Sequence, residues 1–259
     1  MIASLTMYER PETTAALDAL WQAIRAELND SEAPETLTRG KDLWEVWTSP
    51  HLLLGQTCGM PFRTRLYDQV TLVATLDHGI AEAPPGHYNS VIVTHRDKGT
   101  PSLSQLAGAR FAYNEALSQS GWAAPMHHMR DLGILPGELI ATGAHVASAR
   151  FVAEGRADFA ALDAMSWALM QEYDDFAGDL IVIDRTRATP GLPLITARHR
   201  DPAPLRAALN RAVDQLADDH RKTLHLRGVC DIPAAEYLAV STPLGPVLTE
   251  QTIRQSAAR

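Results

Sequence analysis

RFAYNEALSQSGW, residues Arg110 to Trp122, reads as a short apolar run, a polar turn and the opening of a helix around Ser118, Ser120 and Gly121. A strand that ends in a turn and starts a helix leaves the first backbone N–H groups unpaired, and serine hydroxyls add donors beside them. Such a place suits an oxyanion, because the helix dipole and the free amides favour negative charge without a nearby lysine or arginine. A plain N-cap role for Ser118 or Ser120 fits the same residues.

Working outward from this stretch, Tyr88 to Thr94 and Arg110 to Tyr113 read as strands, and Ser120 to Leu132 as a helix. Glu138 to Thr142, Phe159 to Leu162 and Leu180 to Asp184 read as further strands, separated by helices at Ala144 to Glu154 and through Met165, Leu169 and Met170. Alternation of this kind predicts a parallel-rich sheet covered by helices. Pro/Gly-bearing breaks near residues 86 to 90 and 185 to 193 bracket the run. Outside them lie a first strand from Ile2 to Tyr8 and a helix carrying Leu17, Leu20, Trp21, Ile24 and Leu28 at helical spacing. A loop over residues 29 to 40, a short helix from Asp42 to Trp47 and a buried strand from His51 to Gln56 follow. Thr57 to Pro61 is then a strand-to-helix turn, a second candidate ligand loop. Gln69 to Leu76 and Leu194 to Ala197 complete the strands, and the remainder is expected to be helical. The expectation is an α/β fold of two lobes, residues 1–88 plus 190–259 forming lobe one and residues 89–189 an inserted lobe two. Ligands of open α/β sheets bind at the carboxyl ends of strands, so a cleft between such lobes is the expected site.

Composition narrows the function classes. The 259 residues are 46% hydrophobic and 21% charged, ordinary for a globular chain, and the net charge of −8 with no basic run argues against nucleic acid. No stretch reaches the roughly 18 to 20 apolar residues of a membrane span. The first residues lack a basic, apolar export leader, which implies a cytoplasmic location if Met1 is the native start. Cys58 and Cys230 show no metal spacing, and the adjacent His127 and His128 point about 100° apart on a helix, so neither pair is a metal site. Glycine-rich nucleotide loops of either common pattern are missing.

Tyr88, the Thr57 to Met60 loop, the serine turn, His145 in a helix's first turn and Asp163 at a strand end are the polar groups placed to meet a ligand. A histidine so placed can donate to an oxyanion, and Asp163 can accept from a protonated ligand or cap the next helix. A triad of Ser118 or Ser120 with His145 and Asp163 is conceivable, but the Gly-x-Ser-x-Gly elbow that would mark its serine is missing.

The ordered segments GHYNSVIVTHRD, SLSQLAGARFAYN, SQSGW and GAHVASARFVAEGRADFAALDA resemble the periplasmic phosphate/phosphite/phosphonate-binding proteins of ABC transporters. That resemblance covers residues 86 to 197 best. It implies a type 2 periplasmic-binding-protein-like fold, α/β and two-lobed, with a hinge and an interlobe cleft. It further implies capture of a small oxyanion for an ABC permease by a periplasmic monomer without cofactor, metal or catalytic residue. Ser118, Gln119, Ser120 and Gly121 would supply backbone and hydroxyl donors, His145 a side-chain donor, and Tyr88 and Asp163 the walls. Cys58 and Tyr8 complete the candidate ligand residues. Two departures stand out: PGLP with Leu192 replaces an acidic residue expected to hold a ligand ammonium, and Cys58-Gly59 replaces an aromatic. A soluble sensor of the same fold, or an enzyme acting on a phosphorylated or pyrimidine-like ligand, are the alternatives.

Overall fold

The computed structural model describes residues 1–28 and 30–257. In chain order the first elements are β1 (Ile2–Ser4), α1 (Thr14–Leu28), α2 (Leu43–Trp47), β2 (Leu52–Gln56), α3 (Gly59–Pro61) and β3 (Val70–Asp77). Next come β4 (His87–Tyr88), β5 (Ser90–His95), β6 (Arg110–Tyr113), α4 (Ala124–Asp131), β7 (Glu138–Ala141) and α5 (His145–Ala153). They are followed by β8 (Phe159–Asp163), α6 (Ala164–Tyr173), β9 (Leu180–Arg185), β10 (Thr189–Pro190) and β11 (Pro193–Ala197). The chain closes with α7 (Pro202–Gln215), α8 (Asp218–Thr223), β12 (Gly228–Cys230), α9 (Ala234–Ala239) and α10 (Pro246–Ala257). Two compact units result: Met1–His87 with Thr189–Val240, and Tyr88–Ala188 with Ser241–Arg259.

The first unit is built on a five-stranded sheet in the order β1-β2-β11-β3-β12. Helix α1 buries Leu17, Leu20, Trp21 and Ile24, an i, i+3, i+4, i+7 stripe, together with Leu205, Ala208, Leu209, Ala212 and Val213 of α7. Asp201 starts α7 by accepting the Ala203 N–H at 3.0 Å, with Pro202 in the first turn, where its missing N–H costs nothing. A second core holds Val46, Trp47, Leu52, Phe62, Leu66, Ile195 and Tyr237, and the Tyr237 hydroxyl shares a 2.5 Å hydrogen bond with Thr75 Oγ1. Strand β1 runs parallel to β2, whereas β11 is antiparallel to both β2 and β3. The carboxyl ends of β1, β2 and β3 therefore share one sheet edge.

The second unit repeats that plan in the order β7-β6-β8-β5-β9. Strands β7, β6 and β8 are parallel, and β5 is antiparallel to both β8 and β9. All five residues of β8 are buried, and Phe111, Tyr113, Trp122 and Phe159 form an aromatic cluster with neighbouring centroids 4.8 to 6.5 Å apart. Asp158 ties the strand starts together: Arg110 N–H and Nε–H donate to it at 2.9 and 3.0 Å, and Lys98 Nζ at 2.5 Å.

Three sequence expectations change. The sheets are mixed rather than parallel-rich, because β5 and β11, the first long strands after the chain enters and leaves the second unit, insert in the reverse direction between two neighbours. The C-terminal part was expected to be helical throughout, yet Gly228–Cys230 pairs with β3 as an edge strand. Ser241–Arg259 was expected with the first lobe and belongs to the second unit: Trp122 Nε1–H donates to Leu244 O at 3.1 Å, His127 Nε2 lies 3.0 Å from Ser241 O, and α10 packs against β7.

Candidate functional site

In the second unit the carboxyl ends of β6, β7 and β8 lie side by side, so the loops after them are neighbours. Thr142 N–H donates to Tyr113 O and Gly143 N–H to Asn114 O, each at 2.9 Å, fastening the loop after β7 to the loop after β6. Three helical segments start at this edge, and they differ in how their starts are satisfied.

The segment after β6 opens as a wide turn over Gln119–Ala123 and continues into α4. Ser118 is its N-cap, with Oγ accepting the Gly121 N–H at 2.9 Å. The Ala123 N–H then reaches back to Ser118 O at 3.0 Å, so the amides of Gln119 and Ser120 precede the first intrahelical bond. Ser118, Gln119 and Ser120 are 5%, 2% and 3% exposed, and Ser90 Oγ–H holds the Ser120 carbonyl at 2.8 Å. The N-cap and ligand readings of this turn thus fall on different atoms. Ser118 caps, and the Gly121 amide is spent on that cap rather than free for an anion.

Helix α5 opens at His145 after Ala144, which brings no side-chain cap; its first intrahelical bond is Ser148 N–H to Ala144 O at 2.9 Å. His145 Nε2 and Ser120 Oγ are 2.9 Å apart, joining the two helix starts. Burial holds the imidazole pKa down to about 4, against a weaker opposing contribution from the backbone of Ala161. Nδ1 has no well-formed hydrogen bond among the described residues.

Helix α6 is closed by its own residue: Asp163 Oδ1 accepts the Met165 and Ser166 N–H groups at 2.8 and 3.0 Å. The Ser-His-Asp triad is therefore not assembled as a relay. Ser120 and His145 meet, but Asp163 Oδ1 is engaged by the backbone of α6.

The remaining sequence candidates fall in two groups. Tyr88, 3% exposed, enters the second unit just ahead of Asn89, whose carbonyl accepts the Ala164 N–H at 3.2 Å at the start of α6. Cys58 and Tyr8 lie in the first unit. Cys58 is buried at the N-cap of α3 and is not in a disulfide; it lies next to Thr57, whose buried hydroxyl has no hydrogen-bond partner among the described residues. The Tyr8 ring meets His78 edge-on, centroids 5.2 Å apart, and Leu192 is buried. Asn114 was missed by sequence reasoning; its position directly after a strand's carboxyl end is the signal that marks it. Among the described residues no group of three His, Cys, Asp or Glu side chains is placed to hold a metal ion, and no helix is long and apolar enough to cross a membrane.

Comparison with known proteins agrees with this architecture. No curated protein matches in sequence. Among solved structures, PhnD1 from Prochlorococcus marinus in complex with methylphosphonate superposes with a TM-score of 0.70 at 13% identity, covering 99% of this chain and 97% of that one. A Xanthomonas citri protein bound to chloride gives 0.67 at 17% identity, with 95% and 96% covered. A binding-protein component of an ABC phosphonate transporter from Pseudomonas aeruginosa gives 0.66 at 14%, with 97% and 93% covered. These likenesses establish the fold, that of the periplasmic binding proteins. The sequence profile of the periplasmic substrate-binding proteins of phosphonate ABC transporters matches residues 54–232, more than half of the chain, and the chain belongs to that family of solute-binding proteins.

Proposed function

We propose that this solute-binding protein captures a small phosphonate- or phosphate-like oxyanion at the edge formed by Ser118–Gly121 and His145, and presents it as a periplasmic monomer to an ABC permease. The observation that carries the reading is the Ser120–His145 hydrogen bond between two helix starts whose leading amides precede any intrahelical bond. Helix N-termini with hydroxyl donors attract anions, and a neutral imidazole adds a donor without a competing charge. No Lys or Arg occurs between Phe111 and His128, so the donors of this turn are neutral ones. The family and the methylphosphonate held by PhnD1 support phosphorus oxyanions as the ligand class. Binding without turnover is the function read here, in keeping with a family of transporter solute-binding proteins.

A thermal-shift panel of phosphate, phosphite, methylphosphonate, sulfate and small carboxylates tests the reading. A ligand at 100 times its Kd stabilises by about 2.7 kcal/mol, a readily seen rise in Tm. Stabilisation by at least one phosphorus oxyanion is expected. A panel in which only carboxylates raise Tm would overturn the ligand class.

A further inference from the structure

Asn114 follows the last residue of β6, and its backbone carbonyl accepts the Gly143 N–H at 2.9 Å. Its side-chain Oδ1 is buried and accepts no hydrogen bond among the described residues. A buried acceptor left unpaired is costly, so one that persists in a folded protein points to a donor supplied from outside the chain. The position of this oxygen is specific. A methyl group built on Gly121 would come within 1.8 Å of Asn114 Oδ1 and 3.2 Å of His145 Cε1, so the amide oxygen, the imidazole and the serine turn converge on one point. Asp163, the acceptor that the sequence brought forward for the same task, has Oδ1 occupied by two α6 amides.

We propose that Asn114 is a specificity-determining residue: its Oδ1 accepts a hydrogen bond from a protonated ligand oxygen, so that the site prefers hydrogen-bearing phosphonate and phosphate anions to sulfate. The proposal rests on the reading of this edge as an oxyanion site. Amides and hydroxyls alone serve any oxyanion, because each of its oxygens accepts. An acceptor fixed among those donors repels a fully ionised oxygen and rewards a P–O–H group, which discriminates by the ligand's proton rather than by its size. In mildly acidic solution phosphate and methylphosphonate are both monoanions that still carry a P–O–H group, and sulfate carries no proton.

The test is calorimetric titration of inorganic phosphate, methylphosphonate and sulfate into the full chain, as wild type, Asn114→Ala and Asn114→Asp, with circular dichroism and urea midpoints to show that each variant folds. Wild type is expected to prefer the two phosphorus anions, Asn114→Ala to narrow that preference about tenfold, as for loss of one hydrogen bond to the ligand, and Asn114→Asp, which keeps an acceptor, to retain or widen it. Equal losses for phosphate and sulfate in Asn114→Ala, or an unchanged ratio in both variants, would overturn the proposal while leaving the anion site standing. A wild type that binds none of the three anions would overturn the anion site itself.

Discussion

Ser120 Oγ and His145 Nε2 lie 2.9 Å apart although the two residues open different helices after different strands. The contact exists because β6 and β7 are parallel neighbours in register, Tyr113 opposite Ala141, so that the connections leaving them start at the same level. A neutral imidazole has one N–H. With that hydrogen on Nε2, His145 donates to Ser120 and the serine hydroxyl hydrogen is free to point at a ligand oxygen.

Titration of His145 follows by the same geometry. Its folded pKa of about 4 lies below the ordinary histidine value of about 6.5. The unfolded chain therefore binds more protons between these values, and stability from this group is lost as pH falls from about 6.5 to about 4. Nuclear magnetic resonance of the ring should show a midpoint near 4 without ligand. Added methylphosphonate should raise that midpoint and fix the Nε2–H tautomer. A midpoint that does not respond to saturating anion would place His145 outside the site.

Gly121→Ala is expected to be costly. Its new Cβ would fall 1.8 Å from Asn114 Oδ1, a buried oxygen at the end of a short side chain that has little reach to withdraw. Overpacking of this kind costs roughly 1–3 kcal/mol. Gly178→Ala is the control, since a Cβ there meets nothing within 4 Å. Urea unfolding should show a clear loss for the first variant and a change within about 0.5 kcal/mol for the second.

Asp158 makes the second unit acid-sensitive. The Arg110 hydrogen bond holds its carboxyl far below the usual carboxylate range, and Lys98 adds to this against the cost of burial. Because the folded pKa is depressed, the stabilisation is full above the unfolded value of about 4 and is lost as pH falls below it. Asp158→Asn should lower stability at neutral pH by about 1.5–3 kcal/mol, the range for hydrogen bonds to a charged group. It should also flatten the acid limb of the stability curve measured by urea midpoints from neutral pH downward. An equally steep acid limb in the variant would remove Asp158 from the explanation.

Much of the fold could be read before the structure. The alternation around Val91 to Val93 and Phe159 to Leu162, and the stripe Leu17, Leu20, Trp21 and Ile24, reflect burial on one face or two, which periodicity records directly. Strand direction was not legible: β5 and β11 look like any other apolar strand, and their reversal depends on where the chain enters each sheet. Nor could amphipathicity assign α10, since an apolar stripe does not say which unit it covers. In the site, the turn and His145 were identified as polar groups at strand ends and helix starts. The division of labour between Ser118 and Ser120 was not, because both serines suit a cap and only the path of the turn decides. Asn114 escaped for the same reason: one asparagine after a strand is common, and its meaning comes from the buried oxygen facing Gly121.

The central claim, that the Ser120–His145 edge takes a phosphorus oxyanion, is tested most directly by calorimetric titration of methylphosphonate into wild type and Ser120→Ala. Loss of one hydroxyl donor to a charged ligand should weaken binding by about 1.5–3 kcal/mol, roughly ten- to a hundredfold, with the urea midpoint little changed. Equal affinities for the two proteins would contradict the account.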